Sequence, residues 1–93
     1  MTSTPSERLS LWMDLEKVKS PYLEERTGIK ADRWRSVKSG RAELRVSEVE
    51  ALKAVCPEYC YWLATGEELP ESGQISPMTK REQQTLKPTP RAG

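Results

Sequence analysis

Residues 28–40 have the sequence GIKADRWRSVKSG, and this stretch decides the fold. Glycine bounds it at both ends, and the spacing between the glycines predicts a short helix over 31–39. Trp34 and Val37 are three residues apart, so they share one face of that helix. The opposite face carries basic and small polar groups, on a helix roughly 13 Å long. Such a helix fits the major groove of DNA, and an ordinary amphipathic surface helix has the same pattern.

The positive charge of the chain is concentrated on the same stretch. The whole chain has a formal net charge of only +1, from 15 basic and 14 acidic residues. Residues 26–45 contain seven basic and two acidic residues, and residues 77–93 contain four basic residues and one acidic. A polyanionic partner would therefore dock on the central stretch or on the tail. A charged run is often only a solvated face, but this one coincides with a helix bounded by turns.

Composition and cysteine content exclude several classes of function. Ninety-three residues allow one small domain. The chain has no apolar run long enough for a membrane span or a signal peptide, so we expect a cytoplasmic protein without membrane contact. Histidine is absent, and the two cysteines, Cys56 and Cys60, are interpreted as reduced core thiols. We therefore expect no metal site, no catalytic residue, no cofactor and no small-molecule ligand.

Proline and glycine signals predict two helices before the central stretch. Helix 1 is predicted over 5–18, with Ser3 or Thr4 as its cap and a proline at its first position. Helix 2 is predicted over 21–27 and ends at Gly28, because glycine favours the left-handed conformation of a C-cap.

Two more helices are predicted after the central stretch. Residues 46–50 contain the start signal of helix 4: Ser47 and Glu50 have the spacing of a capping box, and Val46 and Ala51 have that of a hydrophobic staple. Pro57 ends that helix and opens helix 5, predicted over 57–65. The aromatic residues of helix 5 indicate either core packing or a self-association surface.

The sequence changes character after Gly66. Residues 67–93 are rich in proline and poor in apolar residues, so we expect a mostly flexible tail or a dimerisation arm. A short helix from Pro77 to about Leu86 is the alternative. The prediction is thus an all-α fold of five short helices over 1–66, followed by this tail. Its predicted core consists of Leu11, Trp12, Leu15, Leu23, Ile29, Trp34, Val37, Val49, Leu52, Trp62 and Leu63.

The segment from Ser20 to Gly66 resembles the helix-turn-helix domain of lambda-repressor-like and Cro-like (XRE-type) phage and prophage DNA-binding regulators. The resemblance rests on Leu23, Gly28, Ile29, Trp34, Val37 and Gly40, with support from the runs RWRSVKSGR (33–41) and YWLATG (61–66). Two positions depart from the family pattern. Glu24 stands where a small residue is usual, and Thr27 stands where an apolar residue usually precedes the turn glycine.

The resemblance implies a sequence-specific transcriptional regulator that binds double-stranded operator DNA, as a homodimer that occludes a promoter. The base-reading positions of the family fall on Ala31, Asp32, Arg35 and Ser36. Phosphate contacts are expected from Ser20, Tyr22, Lys30, Arg33, Lys38, Ser39 and Arg41. The alternative is a protein-interaction module on the same fold that binds another regulator.

Overall fold

In a computed structural model of the chain, residues 3–86 are described, and they are almost entirely helical. The six α-helices are α1 (Pro5–Glu16), α2 (Ser20–Thr27), α3 (Ala31–Lys38), α4 (Val46–Ala51), α5 (Cys60–Thr65) and α6 (Pro77–Leu86). Short 3-10 helices cover Leu52–Ala54, Pro57–Tyr59 and Pro70–Ser72. Over residues 3–86 the only extended pairing is an isolated bridge between Leu69 and Gln74. The predicted all-α class is confirmed, and the number of helices is corrected from five to six.

Helix α1 begins with a capping box and ends two residues earlier than predicted. Thr4 Oγ1 accepts a hydrogen bond from the Glu7 amide, and the Glu7 carboxylate accepts one from the Thr4 amide, both at 3.0 Å. The helix ends at Glu16 because Lys17 takes the left-handed conformation, with φ of 57°. The Lys17 amide then donates to the Met13 carbonyl and closes the last turn.

The face of α1 that enters the core differs from the predicted one. Leu9, Trp12 and Met13 are buried, whereas Leu11 is 41% exposed and Leu15 is only partly buried. Both sets have helical spacing, so periodicity alone does not choose between them. The buried set includes the large aromatic ring, which meets an aromatic partner, Tyr59, edge-on with 6.4 Å between ring centroids.

The turn between α2 and α3 explains both departures from the family pattern. The Glu24 carboxylate accepts a hydrogen bond from the Ala31 amide at 2.9 Å, so it caps the start of α3. Thr27 Oγ1 donates to the Leu23 carbonyl at 2.6 Å and accepts from the Ile29 amide at 3.1 Å. Side chains that look out of place by family pattern therefore hold the turn together. Gly28 caps α2 as predicted, with φ of 80°.

Most of the predicted core is buried. Seven of its eleven members are buried, and the exceptions are Leu11, which is exposed, and Leu15, Ile29 and Val49, which are partly buried. Four residues outside the predicted list join the core, Leu9, Met13, Tyr59 and Ile75, and Cys56 is a buried core thiol as interpreted from the sequence. The result is a core shared by α1, α2, α3, α5 and the 3-10 helices, closed at one side by Ile75.

Helix α4 begins at Val46, two residues before the start implied by the predicted cap at Ser47, and its N-cap is Arg45. The Glu48 carboxylate accepts a hydrogen bond from the Arg45 amide at 2.8 Å. Glu48 therefore caps this helix. The predicted capping box of Ser47 and Glu50 is wrong. The side chain of Glu48 is only 4% exposed, and its carboxylate has a second partner, Arg33.

Residues 67–80 are hydrogen-bonded to the helical domain and to one another, whereas residues 81–85 of α6 are exposed. The flexibility of the tail as a whole stays a prediction. The Ile75 amide donates to the Glu58 carbonyl at 2.9 Å, and the Glu68 carboxylate accepts from the Ser76 amide at 2.9 Å and from the Thr79 hydroxyl. These contacts place the first turn of α6. Residues 1–2 and 87–93 lie outside the described part of the chain. The domain boundary at residue 66 and the dimerisation arm stay predictions.

No helix among residues 3–86 combines the length and the apolar character needed to cross a membrane.

Candidate nucleic-acid interface

Helix α3 presents one apolar and one polar face, as its sequence predicts. Trp34 and Val37 are fully buried, which fixes the rotation of the helix about its axis. Asp32 and Arg35 lie exposed on the opposite face, with Ser36 partly exposed beside them. The structure therefore brings three of the four predicted base-reading residues onto one surface.

The fourth predicted base-reading residue, Ala31, lies elsewhere. Its side chain is only 8% exposed, and its amide is held by Glu24 at the start of α3. Its methyl group is therefore too little exposed to contact the methyl group of a thymine.

Asp32 and Arg35 form an ion pair on the exposed face. Arg35 Nη1 donates to Asp32 Oδ1 at 2.6 Å, and the two side chains are 56% and 92% exposed. An exposed pair of this kind contributes about 0–1 kcal/mol. The guanidinium is therefore positioned by the carboxylate but can exchange it for a better acceptor.

A concave surface lies beside α3, and we call it the basic groove. It has a volume of about 430 Å³ and runs between the α1–α2 connection and α3. Four of its lining residues are cations and one is a carboxylate; they are Lys17, Lys19, Arg35 and Lys38, with Asp14. The Lys38 ammonium lies 3.0 Å from the Asp14 carboxylate, so its charge is already paired. Arg35 is likewise paired with Asp32, so Lys17 and Lys19 give the groove its positive potential.

The N-terminus of α2 opens into the basic groove. Ser20, a predicted phosphate contact, is the first residue of α2, lines the groove and is buried. Within the described chain no side chain caps this helix start. Its free amide groups and the positive end of the helix dipole therefore favour an anion at this point. Lys17 and Lys19 were not predicted, because their segment, 1–25, is acidic overall.

Tyr22 and Arg26 form a contact of their own on α2. Arg26 Nη1 donates to the Tyr22 hydroxyl at 3.1 Å, and the guanidinium carbon lies 5.8 Å from the ring centroid. Arg26 Nη2 also donates to the Ala54 carbonyl at 2.9 Å. The Tyr22 hydroxyl is therefore an occupied acceptor whose own proton is still available to a phosphate.

Arg33, predicted as a phosphate contact, is bound to Glu48 instead. Its guanidinium donates to both oxygens of that carboxylate and, at 2.8 Å, to the Glu43 carbonyl. The hydrogen bond with Glu48 raises the pKa of Arg33. Burial would raise the pKa of Glu48, but hydrogen bonds from Arg33 and the Arg45 amide outweigh it, so that pKa lies below its usual value. Arg33 thus serves to join α3 to α4.

The remaining predicted phosphate contacts lie at the two ends of α3. Lys30 precedes the helix and Arg41 follows it; both are exposed, and neither is in an ion pair within residues 3–86. The Ser39 hydroxyl donates to the Ser36 carbonyl at 3.1 Å. The Arg41 amide donates to the same carbonyl at 2.9 Å, which turns the chain away from the helix axis.

Cysteine and metal chemistry find no support in the described residues. Cys56 and Cys60 are free thiols, and burial raises the pKa of both. Residues 3–86 contain no group of three histidine, cysteine, aspartate or glutamate side chains that could hold a metal ion.

The structure describes a small all-helical domain with a groove lined by basic residues beside α3. No model of a known protein family matches the chain, and no curated protein sequence matches it. Among solved structures the chain is similar to Pf6r from the filamentous phage Pf6 of Pseudomonas aeruginosa PA01. The two share 29% identity and a TM-score of 0.72, over 92% of this chain and 100% of that one. The likeness to phage proteins expected from the sequence is therefore found, without assignment to the Cro-like family.

Proposed function

We propose that this protein is a sequence-specific DNA-binding transcriptional regulator of the helix-turn-helix type. In this proposal α2 and α3 are the two helices of the motif, and α3 enters the major groove. The observation that carries it is the exposed polar face of α3 beside the basic groove, at a helix start with no side-chain cap. The similarity to Pf6r, a protein of a filamentous phage, supports a phage origin for the proposed regulator.

Base reading is assigned to the exposed face of α3. Arg35 has the guanidinium that can donate two hydrogen bonds to O6 and N7 of a guanine. Ser36 offers a hydroxyl to several bases, and Asp32 either accepts from a cytosine amino group or holds Arg35 in place. Ala31 is left out of this assignment because it is buried.

Phosphate binding is assigned to the groups that frame α3. The basic groove would take one phosphate at the start of α2, with Lys17 and Lys19 close by. Lys30 and Arg41 would contact the backbone at the two ends of α3, with Tyr22, Lys38 and Ser39 as secondary contacts. Arg33 is not assigned a phosphate, since its Nε and Nη2 donate to the Glu48 carboxylate and the Glu43 carbonyl and its charge is paired with Glu48.

The proposed regulator acts as a homodimer that occludes a promoter. Readers of this type bind two half-sites about one helical turn of DNA apart, which needs two copies of α3 related by a two-fold axis. A single α3 of eight residues reads too few base pairs to select one site in a genome.

A second function, binding of another regulator, is favoured by the ion pairs of the basic stretch. Arg33, Arg35 and Lys38 all have carboxylate partners, and the net charge of the chain is only +1. A surface neutralised in this way suits a protein partner as well as a phosphate backbone.

Two experiments test the proposal. The first selects binding sequences from randomised duplex DNA at low salt, and the second measures competition with a scrambled duplex. We expect enrichment of a two-fold symmetric sequence. K19E should lose at least about tenfold in affinity for it, because the substitution reverses a charge in the basic groove. K53E makes the same change at an exposed position outside the groove and should bind like the parent. If no sequence is enriched, the binding of another regulator becomes the better hypothesis.

A further inference from the structure

Helix α6 has an exposed face with no partner in the described chain. Met78, Arg81, Glu82 and Thr85 have the spacing i, i+3, i+4, i+7, so they lie on one side of the helix, which we call the α6 face. All four are exposed. Residues 81–85 are exposed throughout, although a helix of ten residues is marginal in water without packing.

The first turn of α6 is anchored, and the second half extends away from the anchor. Pro77 is fully buried, and the Lys80 ammonium lies 2.9 Å from the Glu58 carboxylate and 5.9 Å from the centroid of the Tyr59 ring. The helix is thus held in a fixed direction while the α6 face remains uncovered.

An apolar groove runs along the α6 face. It has a volume of about 570 Å³ and is lined by all four residues of that face together with Leu15 of α1. Met78 is 41% exposed, and Leu15 is partly buried. Leu15, which sequence periodicity assigned to the core, therefore forms part of the wall of an open groove.

The charges of the α6 face are complementary to themselves under a two-fold rotation. Arg81 and Glu82 are neighbours at the centre of the face, and neither is in an ion pair within residues 3–86. When two α6 helices pack antiparallel about an axis between these positions, Arg81 faces Glu82 of the partner subunit. The same axis puts Met78 against Thr85 of the partner subunit. Both pairings occur twice in such an interface.

We propose that the α6 face and its groove bind a second copy of this chain, through antiparallel packing of the two α6 helices. The inference rests on the proposed function in one respect: a protein that binds two DNA half-sites needs to be a dimer. It replaces the self-association surface expected on helix 5, because Tyr59 and Trp62 are buried in the core. The apolar area is small, so the dimer is weak, with a dissociation constant of roughly micromolar order.

Charge swaps in the full-length chain test the pairing by sedimentation across a concentration series. R81E and E82R each place like charges opposite one another at both symmetric positions, and each should raise the dimer dissociation constant about tenfold or more. The double variant R81E/E82R restores opposite charges and should return the constant to within about threefold of the parent. K53E, a charge reversal outside the face, should leave it unchanged.

Three results would overturn the pairing: a parent that is monomeric at about 1 mM, single swaps without effect, or a double variant as weak as the single ones. Melting curves of each variant confirm that the substitutions, all at exposed positions, leave the fold intact. Binding of the selected duplex separates this inference from the proposed function. If the protein is a monomer that binds the selected duplex, the α6 dimer is rejected and the proposed function stands. If the protein is a dimer that responds to the charge swaps as expected but binds no DNA, the α6 dimer stands and the proposed function is rejected.

Discussion

The Arg33 guanidinium donates to both oxygens of the Glu48 carboxylate, and this pair joins the proposed reading helix α3 to α4. The two residues are 15 positions apart, and their side chains are 22% and 4% exposed. Because Glu48 also accepts from the Arg45 amide, one carboxylate fixes both the start of α4 and its position against α3.

Arg33→Ala should lower the free energy of unfolding by about 2–4 kcal/mol, because it leaves the buried Glu48 carboxylate without its counter-charge. Asp32→Ala, which breaks an exposed pair on the same helix, should cost less than about 1 kcal/mol. Urea denaturation of both variants makes the comparison. Equal losses would show that the Arg33 pair is no more important than a surface contact.

Acid should destabilise the protein through Glu48. Its pKa lies below the ordinary value of 4.5, so its contribution to stability is complete above that pH and is lost as the pH falls through the lower, folded-state value. Glu48→Gln should therefore melt at a lower temperature than the parent at neutral pH and lose less stability on acidification. Melting temperatures between about pH 2 and pH 7 measure both effects. Parallel curves would assign the acid sensitivity to other carboxylates.

Glu24→Ala should destabilise the chain by about 1 kcal/mol, although it moves the sequence towards the pattern of the family it resembles. The reason is the lost hydrogen bond from the Ala31 amide, which leaves the start of α3 without that cap. Thermal denaturation gives the sign directly. A stabilised variant would mean that close packing of α2 on α3 outweighs the cap.

Arg35→Ala should reduce affinity for the selected duplex by about 1–3 kcal/mol and remove the preference at one base pair, because two hydrogen bonds to a base are lost. Competition between specific and scrambled duplexes measures the preference. An unchanged ratio of the two affinities would exclude base reading by this residue.

Arg41→Ala should instead weaken binding to all duplexes about equally. Arg41 is exposed past the end of α3, and the proposed function assigns it to a phosphate. The slope of affinity against salt concentration should fall by about one per protomer. A change in sequence preference would assign Arg41 to the reading surface.

Local signals predicted α3 and its surroundings well. Two glycines, an aromatic residue and a valine three positions later define that helix within thirteen residues. The exposure of Asp32 and Arg35 follows from the same pattern, as does the C-cap at Gly28. These features depend on backbone preferences and helical spacing, which act over short stretches of sequence.

Features that depend on distant residues were not predictable. Leu9 and Leu11 both belong to stripes of helical spacing, and only the packing of α1 on the other helices buries Leu9 and leaves Leu11 exposed. Arg33 looked like a free cation because Glu48 is fifteen residues away. Composition predicted a mostly flexible tail, because the contacts that hold its first part join residues far apart in sequence: the Ile75 amide donates to the Glu58 carbonyl, and the Gln74 side chain accepts from the Tyr61 amide.

Lys17, on the wall of the basic groove, has the only positive φ among the described residues other than glycine. A side chain in that conformation costs the folded state roughly 1 kcal/mol relative to glycine. Lysine at this position therefore lowers the stability of the fold while placing an ammonium group on the wall of the basic groove. Lys17→Gly would raise the melting temperature and lower the positive charge of the basic groove. Fold stability and the proposed affinity for an anion therefore have opposite requirements at this position.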